Sequence, residues 1–208
     1  MNPSEKHHTK YLCSAWLPKD YPNEDRPEVA MAGRSNAGKS SFLNAIFGKK
    51  LAKVSGTPGK TRSLNFFNFG EYYRWVDMPG YGFASRGKKE KEAWTQAIES
   101  YLSHRPNLCG LVLIMDARRD WSADEDLLVK WGAHFQKPVL VLLNKADKFS
   151  RSQGLRRKAQ IEKQSGVPCL LVSASLKKGC EEAETYIYEN WIAPYLGLDL
   201  NDDNEGEE

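Results

Sequence analysis

A glycine-framed loop between two apolar segments constrains this chain more than any other feature. The loop Gly33–Ser40 follows the apolar run Glu28–Ala32 and precedes Ser41–Phe47, where apolar residues recur at helical spacing. It matches G-x-x-x-x-G-K-[ST], in which backbone N–H groups and a helix N-terminus hold phosphate. A chance match is expected in about one chain in a hundred of this length. The sequence therefore predicts a strand, a phosphate-binding loop and a helix.

Each position of this loop has an expected role. We assign to nucleotide binding Gly33, Arg34, Ser35, Asn36, Ala37, Gly38, Lys39 and Ser40. Lys39 is expected to contact the β- and γ-phosphates, and the Ser40 hydroxyl a magnesium ion.

Composition favours one globular domain. The 208 residues are 40% hydrophobic and 27% charged, enough for a single core. No apolar run reaches the roughly 18 residues of a membrane span, and the N-terminus lacks the apolar core of a signal peptide. The four cysteines and four histidines lack metal-ligand spacing. We expect a cytoplasmic monomer with no membrane or DNA partner.

Three regions differ in composition. Residues 1–27 contain four prolines and predict an irregular leader, with one short element over Tyr11–Trp16 docked on the body. Residues 28–195 form the predicted nucleotide-binding domain. Residues 196–208 form an acidic tail, expected to be disordered. The net charge is +3, but without the six acids of the last ten residues 30 basic and 21 acidic residues remain, a balance compatible with a polyanionic partner such as RNA.

Strand and helix patterns alternate beyond the loop. A polar loop over Gly48–Ser63 precedes a hairpin of Leu64–Phe69 and Tyr72–Val76. Helical patterns cover Glu90–Leu102, Ala123–Phe135, Ser152–Gln164 and Cys180–Trp191, and apolar strands cover Gly110–Asp116, Pro138–Leu143 and Pro168–Ser173. Continuous apolar strands between helices indicate a mostly parallel sheet. We predict a three-layer α/β fold with a mainly parallel six-stranded sheet, one antiparallel edge strand and helices on both faces.

The segment Asp77-Met78-Pro79-Gly80 ends the hairpin's second strand. A strand that delivers an aspartate and a glycine into a loop suits a magnesium nucleotide site. We expect the Asp77 carboxylate to hold a metal-bound water and the Gly80 N–H to reach the terminal phosphate.

Two further segments predict a guanine site. Asn144-Lys145-Ala146-Asp147 follows an apolar strand, at the sheet edge where ligands bind. The Asp147 carboxylate can accept two hydrogen bonds from guanine, a donor pair that adenine lacks. Val172-Ser173-Ala174 follows the last strand, where the Ala174 N–H could contact the guanine carbonyl. A helix cap and a Ser-Ala turn remain the structural alternatives.

With these motifs the chain resembles the EngB family of translation-factor-like GTPases over residues 28–192. The resemblance rests on residues 33–41, 58–62, 77–82, 144–147 and 172–174. It implies a P-loop G domain in which Thr61 binds magnesium beside Ser40 and closes on the γ-phosphate. Its neighbours Gly59, Lys60, Arg62 and Ser63 would line the same site. It also implies a role in large ribosomal subunit assembly, on which cell division and septation depend.

The expected reaction is attack by water on the γ-phosphoryl group of GTP, with Lys39, Thr61 and Gly80 as the catalytic groups. Tyr81 stands where Ras-type GTPases carry a water-orienting glutamine, so slow intrinsic hydrolysis is expected. Asn36 matches the loop asparagine of potassium-assisted relatives. It could bind a potassium ion or only stabilise the loop.

Two basic segments could contact ribosomal RNA phosphates. One is the loop with Lys49, Lys50, Lys53, Lys60 and Arg62, and the other is the helix with Arg151, Arg156, Arg157, Lys158 and Lys163. A solvated surface explains the helix equally well. Two other functions stay open: a metabolic P-loop phosphotransferase and a GTP switch acting directly at the division site.

Overall fold

The computed structural model describes residues 8–52, 63–81 and 88–198, without the side chains of 88–91, 93, 94 and 97. In these ranges one sheet has seven strands in the order β1-β3-β4-β2-β5-β6-β7. The strands are β1 Lys10–Ala15, β2 Glu28–Ala32, β3 Leu64–Phe69, β4 Tyr73–Asp77, β5 Leu108–Asp116, β6 Val139–Asn144 and β7 Cys169–Leu171. The helices are α1 Lys39–Phe47, α2 Lys88–His104, α3 Ala123–His134, α4 Arg151–Ser165, α5 Cys180–Ile187 and α6 Ala193–Leu196, with a π-helical turn at Tyr188–Ile192.

The sheet is mainly parallel, as predicted. Strands β4, β2, β5, β6 and β7 pair in parallel, whereas β3 is antiparallel to both β4 and β1. The predicted count of six strands with an antiparallel edge strand was wrong. The leader supplies a seventh strand, β1, which covers the edge of β3. A bulge between Tyr11 and Cys13 interrupts the alternation of inward and outward side chains along β1, so the sequence of this short strand shows little period-two pattern.

Apolar side chains fill a core on each face of the sheet. Val29 and Met31 of β2 face the layer of α1 and α5, and Ala30 and Ala32 face the layer of α2, α3 and α4. This period of two is what a strand covered on both faces requires. The three-layer prediction is therefore confirmed. In the ranges given above, no helix has the length and apolar character to cross a membrane.

Glu28 and two arginines form a buried ionic cluster where β2 begins. Glu28 is fully buried, and its Oε1 accepts hydrogen bonds from Arg74 Nη1 at 2.9 Å and Arg105 Nη2 at 2.7 Å. Its Oε2 accepts from Tyr101 Oη at 2.8 Å and Arg105 Nε at 2.9 Å. Arg74 also binds Asp25 of the leader at 2.9 Å. The cluster joins the leader, β2, β4 and the end of α2.

Candidate functional site

The phosphate loop lies between β2 and α1, where the sequence predicted it. Gly38 has φ of 104°, and a Cβ there would lie 2.1 Å from Asn144 Nδ2. Only glycine satisfies both the left-handed backbone and this close approach. Lys39 Nζ donates to the Gly33 carbonyl at 2.9 Å, so the ammonium lies within the curve of the loop. Ser40 follows in the first turn of α1.

Asn144 joins the phosphate loop to the loop after β7. Its buried side chain donates through Nδ2 to the Ala37 carbonyl at 2.8 Å and accepts at Oδ1 from Ala174 N at 3.0 Å. The three segments therefore meet at the carboxyl edge of the sheet. The Ala174 N–H, predicted to contact the guanine carbonyl, is directed at Asn144 in this structure. A base would have to share or replace that bond.

Lys145 links the phosphate loop to Asp116, a carboxylate residue that sequence reasoning missed. It has φ of 65°, and its Nζ lies 3.0 Å from both the Asn36 carbonyl and Asp116 Oδ2. Burial alone would raise the pKa of Asp116, but hydrogen bonds from Arg118 and Lys145 hold it well below its usual range. Asp116 also lines a cleft of about 330 Å³ beside the loop. Its position at the end of an apolar strand was the signal that could have identified it.

Asp147 lies in a short 3₁₀ segment, Ala146–Lys148, with its side chain 13% exposed. Ser173 Oγ donates to Asp147 Oδ1 at 2.6 Å, and Lys148 Nζ lies 3.0 Å from Oδ2. The Ser173 hydrogen bond, followed by Lys148, lowers the pKa of this carboxyl. The Ala146 N–H donates to the Val172 carbonyl at 3.0 Å, which joins the two predicted base-binding loops. The carboxylate is held ionised and oriented, as acceptance from a base requires.

Asp77 has the character expected of a metal-site carboxylate. The residue is 5% exposed at the end of β4, and its Oδ1 has no hydrogen-bond partner among the residues described. Burial raises its pKa to about 6, opposed by the charge of Lys39. A buried, unpartnered carboxylate oxygen is costly. A water molecule on a bound magnesium ion would satisfy it, so Asp77 fits this metal, and Ser40 in the first turn of α1 is the other described residue predicted to hold it.

The remaining predicted residues fall into two groups. Gly59, Lys60, Thr61 and Arg62 lie outside the described ranges, and Ser63 directly precedes β3. Met78 is fully buried, its N–H donates to the Met31 carbonyl at 3.0 Å, and Pro79 follows it. Gly80 and Tyr81 lie against the phosphate loop, where Ser35 N donates to the Tyr81 carbonyl at 3.1 Å. The Tyr81 hydroxyl donates at 3.0 Å to Glu125, a second residue that sequence reasoning missed.

The chain is similar to known proteins over most of its length. Residues 28–145 match the family model described as a 50S ribosome-binding GTPase. A probable GTP-binding protein EngB of Bdellovibrio bacteriovorus is 53% identical over 184 residues, covering 88% of this chain and 92% of that protein. The corresponding protein of Desulfosudis oleivorans is 43% identical, covering 84% and 90%.

Solved structures agree in fold. A crystal structure of a probable GTP-binding protein EngB has a TM-score of 0.65 and 23% identity, covering 78% of this chain and 97% of that one. The Era protein of Aquifex aeolicus, solved with GDP and aluminium fluoride, also has a TM-score of 0.65 and 23% identity, covering 79% and 56%. At these identities the structures support the fold alone. The sequence relatives decide the family: this chain belongs to the EngB family of GTP-binding proteins.

Proposed function

We propose that the protein binds GTP with magnesium, hydrolyses it to GDP, and acts as a switch in assembly of the large ribosomal subunit. The observation that carries the nucleotide assignment is the bridging of the phosphate loop by Asn144 and Lys145, which hydrogen-bond to Ala37 and Asn36. These contacts hold the phosphate loop and the segment before Asp147 in a set distance and orientation. One ligand with a phosphate chain and a base could contact both.

Each residue has a chemical role in this proposal. Lys39 and the loop N–H groups would stabilise negative charge on the phosphates, and the Gly80 N–H would reach the terminal one. Asp147 would accept from the guanine N1–H and amine. Magnesium, held by Ser40, Thr61 and through water by Asp77, supplies further charge stabilisation when bound. The side-chain amide of Asn36 is the candidate ligand for a potassium ion.

Intrinsic hydrolysis of GTP should be slow. Tyr81 occupies the position of a water-orienting glutamine, but its side chain is buried and its hydroxyl is hydrogen-bonded to Glu125 of α3. The proton of its hydroxyl is therefore committed to Glu125 in this structure. We therefore expect slow intrinsic hydrolysis, which a partner or a cation would accelerate.

The ribosomal role is supported by the family and by surface charge. The matching family model is described as a 50S ribosome-binding GTPase. On α4 the structure separates two kinds of basic residue. Arg157 Nε donates to the Ala117 carbonyl at 2.9 Å and so supports the fold, whereas Arg151, Arg156 and Lys163 are exposed. The exposed three can contact RNA phosphates.

Co-sedimentation with isolated large ribosomal subunits tests this function. We expect more protein to bind with a non-hydrolysable GTP analogue than with GDP, and binding to weaken as salt rises, because phosphate contacts release counterions. The Lys39→Ala variant should lose the difference between the nucleotides. The Arg156→Gln/Lys163→Gln double variant should keep nucleotide affinity but bind subunits less tightly if α4 contacts RNA. Association that ignores both nucleotide and salt would contradict the proposal.

A further inference from the structure

Gly80 and Tyr81 pack against the open side of the phosphate loop, beside Ser35 and Lys39. Ser35 N donates to the Tyr81 carbonyl, and Arg34 and Tyr81 form a parallel bridge. A Cβ placed on Gly80 would lie 3.1 Å from both Lys39 Nζ and Ser35 N. The backbone at Gly80 is therefore in near contact with the two donors that face the loop opening.

The Ser35 N–H and the Lys39 ammonium, which would bind a terminal phosphate, already have hydrogen-bond partners in this structure. Loop N–H groups cradle the phosphates, and the loop lysine reaches the outermost ones. Here the Ser35 N–H is bonded to Tyr81, and Lys39 Nζ to the Gly33 carbonyl. A γ-phosphoryl group between Lys39 and Gly80 would have to move Gly80 outward and break the Ser35–Tyr81 bond. GDP, which lacks that group, makes no such demand.

Tyr81 is held in this position by the first turn of α3. Its ring is 5% exposed, and its hydroxyl donates to Glu125 Oε1. The other oxygen of Glu125 accepts from Ser122 N at 3.1 Å and from the Ser122 hydroxyl, which forms a capping box. Burial and the neighbouring Glu125 carboxylate raise the pKa of Tyr81, so the hydroxyl remains a donor. The acceptor is thus fixed in a helix that packs on the sheet.

We propose that the Tyr81–Glu125 hydrogen bond determines the preference between GDP and GTP by holding Gly80 in the space of the γ-phosphate. This inference rests on the proposed GTP-binding function and deepens it. The bond stabilises the nucleotide-free and GDP-bound forms relative to the GTP-bound form. Its removal therefore favours GTP selectively, because a ligand shifts a conformational equilibrium only through its different affinity for the two states.

Dissociation constants for GDP and for a non-hydrolysable GTP analogue test the proposal. In Tyr81→Phe we expect the ratio of analogue affinity to GDP affinity to rise by about tenfold to a hundredfold, the range of one buried hydrogen bond to a charged acceptor. Glu125→Gln should change the ratio in the same direction but less, because its amide oxygen takes the place that accepts from Ser122 N and its neutral NH2 group then faces the Tyr81 hydroxyl in place of a charged acceptor. If Tyr81→Phe does not fold, Glu125→Gln tests whether the hydrogen bond sets the affinity ratio.

Tyr101→Phe is the matched control. It also removes a buried tyrosine–glutamate bond, from Tyr101 to Glu28 at 2.8 Å, but at the opposite edge of the sheet. It should lower stability and leave the affinity ratio unchanged. An unchanged ratio in folded Tyr81→Phe and Glu125→Gln, or an equal rise in Tyr101→Phe, would overturn the inference. Failure of the wild-type protein to bind either nucleotide would instead refute the proposed function.

Discussion

Asp147 owes its orientation to a residue from another loop. The Ser173 hydroxyl donates to one carboxylate oxygen and Lys148 lies beside the other. Both contacts favour the ionised form, which is the form that accepts from two donors. A helix cap alone does not require a partner 26 positions away in the chain. The geometry therefore favours the base-binding interpretation over a local cap.

Replacing Asp147 by asparagine should change the base preference. The amide oxygen can still accept from Ser173, so the fold is retained, but the amide N–H faces the guanine amine. A donor that finds no acceptor on guanine weakens binding, so GTP affinity should fall on the order of tenfold to a hundredfold. Xanthosine triphosphate, with a carbonyl there, should bind the variant better than GTP does. Full GTP affinity without any gain for the xanthine nucleotide, measured by titration, would show that residues 144–147 only cap a helix.

Asn36 combines a backbone role and a side-chain role that one substitution can separate. Its φ is 63°, a conformation that asparagine tolerates, and its carbonyl accepts from Lys145. Glycine adopts the same conformation without a side chain.

We therefore expect potassium to raise the hydrolysis rate over sodium in the wild-type protein, and Asn36→Gly to abolish the difference while nucleotide affinity is kept. The measurement is steady-state phosphate release in the two salts. Equal wild-type rates would exclude the cation role. Potassium stimulation that survives in Asn36→Gly would leave Asn36 only its backbone role.

At the scale of elements, the ionic cluster around Glu28 ties the start of β2 to four other segments. Arg74 comes from β4, Arg105 from the turn before β5, and Tyr101 from α2, and the two arginines also bind leader residues. Two buried guanidinium groups share one carboxylate, so neither is left unpaired. Glu28 is the first residue of β2, and the phosphate loop follows the last residue of the same strand.

Glu28→Ala should destabilise the fold by about 3–5 kcal/mol, because it removes the buried carboxylate that two buried guanidinium groups share and leaves them only partly exposed leader carboxylates. The free energy of unfolding in urea measures the loss. Nucleotide affinity of the folded fraction should not change, since the substitution lies at the opposite edge of the sheet. Lys130→Ala, which breaks the exposed pair with Asp126, is the control and should have little effect. Equal effects from both variants would show that burial does not strengthen the cluster.

At the scale of the molecule, the parallel strands separate two polar regions, one at their carboxyl ends and one at their amino ends. The carboxyl ends of β2, β4, β6 and β7 lead into the predicted ligand loops, and the amino ends of β2 and β4 carry the ionic cluster. Apolar cores on both faces fill the space between these regions. The cluster that holds the leader and α2 is therefore separate from the predicted ligand loops.

The sequence alone was sufficient for the strand, loop and helix around Gly33–Ser40 and for the alternation of strands and helices, and it led to the prediction of the guanine segments. Each depends on spacing within a few residues, and a glycine, a lysine or an apolar period has the same physical meaning wherever it occurs. The boundaries of β2 and β3 were correct to the residue.

Three features were decided only by the tertiary structure. The strand β1 pairs with residues 49 to 58 positions away, Tyr81 finds its acceptor 44 positions later, and Lys145 meets Asp116 through a neighbouring strand. None of these partners is marked by local spacing, because the sheet order brings them together after the chain has folded. The sequence thus determined which residues are predicted to bind the ligand, whereas the contacts that hold and restrain those residues depend on the packing of distant segments.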